Sequence, residues 1–223
     1  MKVYIGTGPR YEQITRILHR SILRWASRPV EVRYMEAWAE PAFSDWHGQP
    51  TEENFGRLRG GWVTPFSLFR YAIPYLQGYE GFAVYLDADM IVTGDIWELA
   101  SYAMAGRWVA AKNRDGDCVQ VIDCSALELD LDALKGGVLG DKRRLRHKVE
   151  PITRRLIPEV WNDTDRYRPG VSKLVHYTSM KTQPWQPYPE VIDYEPHPDP
   201  NALGLYNWER MRDEREAGGS PYG

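Results

Sequence analysis

The sequence predicts an α/β fold, a single domain built on a mainly parallel central sheet flanked by helices. Three observations lead there. Short apolar, β-branched runs alternate with segments of helical periodicity along the chain. One of these runs, Phe82-Ala83-Val84-Tyr85-Leu86, stops abruptly at Asp87-Ala88-Asp89, as a buried strand does when its carboxyl end carries polar groups. And 223 residues are enough for one large domain with a substantial core.

Taken in order, Val3 to Ile5 reads as the first strand, closed by Gly6-Thr7-Gly8-Pro9. A helical pattern follows from Tyr11 to Trp25, with Ile14, Ile17, Leu18, Ile22 and Leu23 on one face and arginines along the other. Val30 to Tyr34 forms a second strand, and residues 36–62, polar, aromatic and Gly-rich, read as a loop or lid. Thr64-Pro65 is a start signal for a helix from Phe66 to Leu76, which leads through Gly78 into the strand that ends at Asp87. Trp108 to Lys112 and Val119 to Cys124 are two more short strands, and residues 127–160 read as largely helical. Val171 to Tyr177 is a late strand. From Pro184 a Pro-rich coil runs into a short terminal helix near Trp208–Glu216. The chain therefore divides into a domain over 1–186, with halves at 1–125 and 126–186, and an extension over 187–223.

Composition narrows the function classes. Nine Trp and fourteen Tyr suit either a carbohydrate-handling surface or a well-packed core. No window approaches 18 consecutive apolar residues, and the N-terminus runs directly into a strand, so neither a membrane span nor a signal peptide is expected. Cys118 and Cys124 flank an apolar strand and read as structural thiols of a cytoplasmic protein. The net charge of −3 conceals an asymmetry: between Lys135 and Arg168 ten Lys/Arg stand against five Asp/Glu. The basic run Lys142–Lys148, with Arg154 and Arg155, is either a solvated helix or a surface that meets an anionic acceptor.

The chemistry concentrates at Asp87 and Asp89. Residues i and i+2 of an extended segment point the same way, so the two carboxylates can converge. At the mouth of a hydrophobic strand they are costly unless compensated, and a divalent cation is the usual compensator.

Four segments together resemble the GT-A glycosyltransferases, and among them family 8, the retaining group that includes glycogenin and bacterial galactosyltransferases. Gly6-Thr7-Gly8-Pro9-Arg10-Tyr11 is similar to the family's first turn, where base and ribose sit. Phe66-Ser67-Leu68-Phe69-Arg70-Tyr71-Ala72-Ile73-Pro74 resembles the helix with a donor-contacting Arg. Tyr85 through Ile96 matches the D-x-D segment, and Trp161-Asn162 with Leu174 through Trp185 resembles the closing motif H-[FY]-x-G-x-x-K-P-W. The resemblance implies a Rossmann-like GT-A fold over about residues 1–186. It further implies Mn2+ (or Mg2+) held by Asp87, Asp89 and His176, and a UDP-sugar contacted by Thr7, Gly8, Tyr11, Arg70, Asp87, Ala88 and Lys181. Oxygen ligands with one imidazole suit manganese. The closing motif departs from the family at Ser179 and Thr182, with Lys181 one position early. The family's N-A-G run is absent, and its nearest counterpart, Gly116 to Asp123, offers Asp117 and Gln120 as the catalytic candidates that touch the donor sugar.

The expected activity is transfer of a hexose from a nucleotide sugar to a hydroxyl acceptor, with retention. No carboxylate nucleophile beyond Asp117 is evident, which favours a front-face return in which the leaving phosphate takes the acceptor's proton. The acceptor could be a glycan, a lipid-linked sugar or, through the basic 142–155 region, hydroxylated bases in DNA. A nucleotidyltransferase would need a denser Gly-rich loop than Gly6-Thr7-Gly8-Pro9, and a non-catalytic carbohydrate- or nucleic-acid-binding module would leave Asp87, Asp89 and His176 unexplained.

Overall fold

A computed structural model describes residues 1–36, 64–114, 116–130, 132, 134 and 142–218. Most of the expected 36–62 lid lies outside the described residues. The core is a six-stranded sheet in the order β2-β1-β3-β6-β5-β7. Its strands are β1 (Lys2–Gly6), β2 (Glu31–Met35), β3 (Phe82–Asp87), β5 (Trp108–Ala111), β6 (Val119–Asp123) and β7 (Thr153–Ile157). β6 alone runs against the other five. β1, β3 and β6 are almost wholly buried, which is why they read as continuous apolar runs.

A second, three-stranded sheet lies beside it, in the order β4-β9-β8, from β4 (Met90–Val92), β8 (Asp163–Thr164) and β9 (Leu174–His176). β4 follows β3 after a two-residue bend at Ala88-Asp89. The two sheets therefore share the acidic segment as their hinge.

The first helix, α1 (Glu12–Trp25), enters through a 3-10 turn at Pro9–Tyr11. Ile14, Ile17, Leu18 and Ile22 are buried as expected, but Leu23 is 51% exposed and lies off the buried stripe. Residues 65–76 form a long 3-10 turn, Pro65–Ala72, that passes into the one-turn α2 (Ile73–Leu76), rather than a regular helix. Within the expected helical region 127–160, α3 (Lys142–Val149) is a helix, whereas Thr153–Ile157 departs from that expectation as the edge strand β7, parallel to β5. Its exposed Arg154 and Arg155 are the charges that keep an edge strand from pairing further, and in the sequence they resemble a continuation of the basic helix.

The terminal helix α4 (Pro200–Gly218) begins eight residues earlier than expected. Asp199 caps it, its carboxylate accepting from Asn201 N–H at 2.8 Å, and Pro200 stands at the first position, where a missing N–H costs nothing. The helix docks on α1 through charge. Arg20 and Arg16 reach Asp213 at 3.1 and 3.4 Å, Arg24 pairs with Glu209, and Arg20 also meets Glu216 at 2.9 Å. The arginine face of α1 is thus an interface with the C-terminal segment, and Asp213 is 2% exposed. The arginines keep some solvent contact. Asp213→Ala is therefore expected to lower stability by roughly 1–2 kcal/mol, less than the ~3–5 kcal/mol of breaking a fully buried pair. Urea denaturation checks this; a change below about 0.3 kcal/mol would mean the helix docks by packing alone.

Candidate active site

The register of the large sheet sets the site. Gly6 at the end of β1 lies opposite Asp87 at the end of β3, and Val119 at the start of β6 lies opposite Leu86. The carboxyl ends of two parallel strands thus meet the start of the reversed strand, the place where open α/β sheets bind ligands. The small sheet adds the imidazole. β4 pairs with β9 so that Met90 faces His176, and Tyr177 N–H donates to Asp89 O at 2.9 Å. His176, 87 residues away in sequence, is thereby fixed beside Asp89.

His176 Nε2 stands 3.1 Å from Asp89 Oδ1. Which ring nitrogen carries a proton follows from a chain of hydrogen bonds. The backbone carbonyl of Asn162 accepts from Asn113 Nδ2, which fixes the Asn113 amide. Asn113 Oδ1 then accepts from Asn162 Nδ2 at 2.9 Å, which turns Asn162 Oδ1 toward the ring. That oxygen lies 2.9 Å from His176 Nδ1, so Nδ1 is the donor. In the neutral ring Nε2 is then a lone pair aimed at a carboxylate oxygen. Two acceptors at this distance repel unless a positive charge bridges them, either a proton or a metal ion. Asp89 Oδ1 is buried with no aligned hydrogen-bond donor. Burial, the larger effect, raises the Asp89 carboxyl from its ordinary value, against the pull of His176. An orphaned buried carboxylate oxygen, a neighbouring imidazole with its far nitrogen anchored on an amide, and a second carboxylate nearby fit a divalent cation.

Asp87 is braced rather than open. Arg70 Nη2 donates to it at 3.0 and 3.4 Å, and the Tyr85 hydroxyl donates to Oδ1. Arg70 also donates through Nε to Ser67 O at 3.0 Å and through Nη1 to Asp117 O. Burial opposes the charge of Arg70, but Asp87 and its neighbours outweigh burial and hold it firmly protonated. Gly6 makes room for this arrangement: a Cβ there would collide with the Tyr85 hydroxyl.

The chain matches no family model. Protein CDI of Arabidopsis thaliana is 28% identical over 99 residues, 44% of this chain and 35% of that protein, so the match spans about a third of its length. Among solved structures, galactosyltransferase LgtC in complex with donor and acceptor sugar analogs superposes with a TM-score of 0.62 at 13% identity, covering 100% of this chain and 98% of LgtC. The glycosyltransferase GlyE of Streptococcus pneumoniae TIGR4 gives 0.58 at 15%, covering 99% and 64%. The bifunctional WbbM gives 0.57 at 15%, covering 93% and 51%. The fold is GT-A.

Within this GT-A framework the other sequence-derived candidates fall in different places. Thr7 is buried, its hydroxyl 2.5 Å from that of Thr15, and Gly8 caps the turn before α1. Tyr11 is 2% exposed and packs edge-on against Phe66 and Tyr188, so its ring belongs to an aromatic cluster rather than to an open stacking face. Arg70, expected to meet donor phosphate, is 5% exposed with its fork committed to Asp87 and two backbone carbonyls. Ala88 is buried in the bend. Lys181 is an exposed side chain 3.9 Å from Glu195. Asp117 meets Arg155 and Arg146 at 3.2 and 3.4 Å, which brings the basic helix to the rim of the site. Gln120, opposite Tyr85 on β6, is buried with Oε1 unpartnered.

Sequence reasoning missed Cys118 and the Asn113–Asn162 pair. The potential ligand atoms of Cys118, Asp87 and His176 all lie within 4.8 Å of one another. Asn162 was visible only as part of a motif, and nothing local marks Asn113.

Two results are expected. Gly6→Ala loses about 1–3 kcal/mol by overpacking against Tyr85, and Tyr85→Phe in the same chain restores part of it; additive losses in urea melts would contradict the collision. In 15N spectra of the wild type, Nδ1 of His176 carries its hydrogen, and Asn162→Ala redistributes it to both ring nitrogens. An unchanged tautomer would remove the amide relay.

Proposed function

We propose that this chain is a metal-dependent glycosyltransferase that moves a hexose from a UDP-linked sugar to a hydroxyl acceptor with retention of configuration. The observation that carries the proposal is the 3.1 Å approach of His176 Nε2 to the buried, donor-less Asp89 Oδ1 beside Asp87, on a GT-A fold. Asp87, Asp89 and His176 would hold Mn2+ or Mg2+. When bound, the ion neutralises charge that develops on the departing diphosphate.

The chain's own groups do the rest. Arg70 is a positioning residue: its fork locks the Asp87 carboxylate, and its bond to Asp117 O ties the β3 end to the turn before β6. Asn162 and Asn113 keep the imidazole oriented, with its proton on Nδ1. Asp117 and Gln120, on the turn and strand beside β3, are the groups assigned to the transferred sugar. Among the described residues of this segment Asp117 is the carboxylate that stands forward, and it is already paired with two arginines. A front-face route follows, in which the leaving phosphate accepts the acceptor's proton and the protein supplies position and field. The arginines around Asp117 suit an acceptor or donor bearing negative charge.

The test is UDP release from a panel of UDP-sugars with and without manganese. Release from one donor that needs the ion, and that falls by more than ~100-fold in Asp89→Ala, is the expected outcome, since a lost ligand should cost at least as much as a lost outer-shell partner. Arg70→Lys keeps the charge but not the fork, and is expected to lower kcat/KM at least tenfold, about 1.4 kcal/mol of transition-state stabilisation. Release that is equal with and without metal, or unaffected by Asp89→Ala, would refute the reading.

A further inference from the structure

Cys118 has no part in the activity just proposed, yet its position is built with care. It ends the 3-10 turn Gly116–Cys118, whose exit strand β6 places Val119 opposite Leu86, one residue before Asp87. Gly116 N–H donates to Asn113 O at 3.1 Å, and a Cβ on Gly116 would strike Ala111 O and the Arg155 guanidinium. Arg70 Nη1 clamps the carbonyl of Asp117, the residue immediately before the cysteine. Asn113 thus holds both this turn and, through Asn162, the imidazole of His176. The consequence is the cluster already noted: thiol, carboxylate and imidazole within 4.8 Å of one another. A single ion bound by sulfur at about 2.3 Å and by nitrogen or oxygen at about 2.0–2.2 Å would draw these atoms together by up to roughly 1 Å. The second, independent sign of a ligand is Asp89 Oδ1, buried and without an aligned donor next to the same imidazole.

We propose that Cys118 Sγ is a ligand of the cation held by Asp87 and His176, and that it biases the site toward thiophilic ions such as zinc or cadmium and away from magnesium. The inference rests on the metal-dependent reading above and deepens it. Oxygen and imidazole ligands alone accept magnesium or manganese, whereas a thiolate shifts preference toward softer ions. On binding, the S–H bond breaks, its proton passes to solvent and the sulfur electron pair forms the metal–sulfur bond; nothing is oxidised or reduced. The turn at Gly116–Cys118 would then be held to β3 by the ion as well as by Arg70.

Cadmium, zinc, magnesium and manganese are titrated separately into the full chain and into Cys118→Ser and His176→Ala. The expected result is an ultraviolet thiolate-to-cadmium band that saturates at one equivalent in the wild type and is absent in Cys118→Ser. Zinc affinity should fall by more than ~100-fold in Cys118→Ser, while magnesium affinity stays within about threefold. A measurement that needs no variant runs beside it: alkylation of wild-type Cys118, read by peptide mass spectrometry, should slow at least tenfold with zinc and little with magnesium. The buried Cys124 is the internal control. Cadmium binding without the band, or zinc binding that ignores Cys118→Ser and leaves alkylation unprotected, overturns the proposal. If manganese binding still requires His176 in that case, the transferase reading stands while thiol ligation falls. If no cation binds the wild type, both fall.

Discussion

Everything at this site depends on one short approach, His176 Nε2 facing Asp89 Oδ1 across 3.1 Å in a buried environment. Neither atom chose its neighbour locally. Asp89 sits in the bend between two sheets, and His176 arrives from β9, whose pairing with β4 fixes its depth. The imidazole is then turned by Asn162, which is turned by Asn113, which is turned by a backbone carbonyl. A side chain whose tautomer is set by a relay ending on the main chain cannot relax by rotating its ring. The repulsion between lone pair and carboxylate must instead be met by a positive charge, and that requirement gives the site its affinity for one.

Charge balance around this point is managed by a few residues. Asp87 and Asp89 bring two negative charges to the end of a hydrophobic strand, and Arg70, buried and fully committed, answers one of them. The other, Asp89, accepts from Gln183 Nε2 at 3.2 Å through Oδ2 and faces His176 through Oδ1, where a proton or a divalent ion completes the balance. Moving outward, Arg146 and Arg155 surround Asp117 and make the rim cationic. The fold handles ions in the same manner at its far side, where Arg16, Arg20 and Arg24 of α1 hold buried acids of α4. That contact joins the C-terminal segment, expected to be an appendage, to the first helix of the sheet domain.

Much of this was legible in the amino-acid sequence, and the parts that were not share a physical cause. β1, β3 and β6 are buried on both faces, so burial wrote itself into continuous apolar runs, and the carboxylates ending β3 stood out against them. The α/β class followed, while the GT-A framework rested on the resemblance of four segments to that family. β7 escaped because an edge strand guarded by arginines has the composition of a basic helix. The start of α4 was marked by Asp199-Pro200, a cap signal hidden inside a Pro-rich stretch. Leu23 shows the limit of pattern alone: helical spacing says nothing about which element arrives to cover a face. The proximity of Cys118 to Asp87 and His176 and the contacts of Asn113 lay further out of reach, since they exist only where the turn before β6, the end of β3 and β9 meet in space.

The most direct test of the account is an anomalous-difference map from crystals grown with manganese and UDP. The account predicts a single strong peak in contact with Asp87, Asp89 and the Nε2 of His176, with Nδ1 still bonded to Asn162. A peak elsewhere, or none while His176 and Asp89 remain bonded directly to each other, would contradict it.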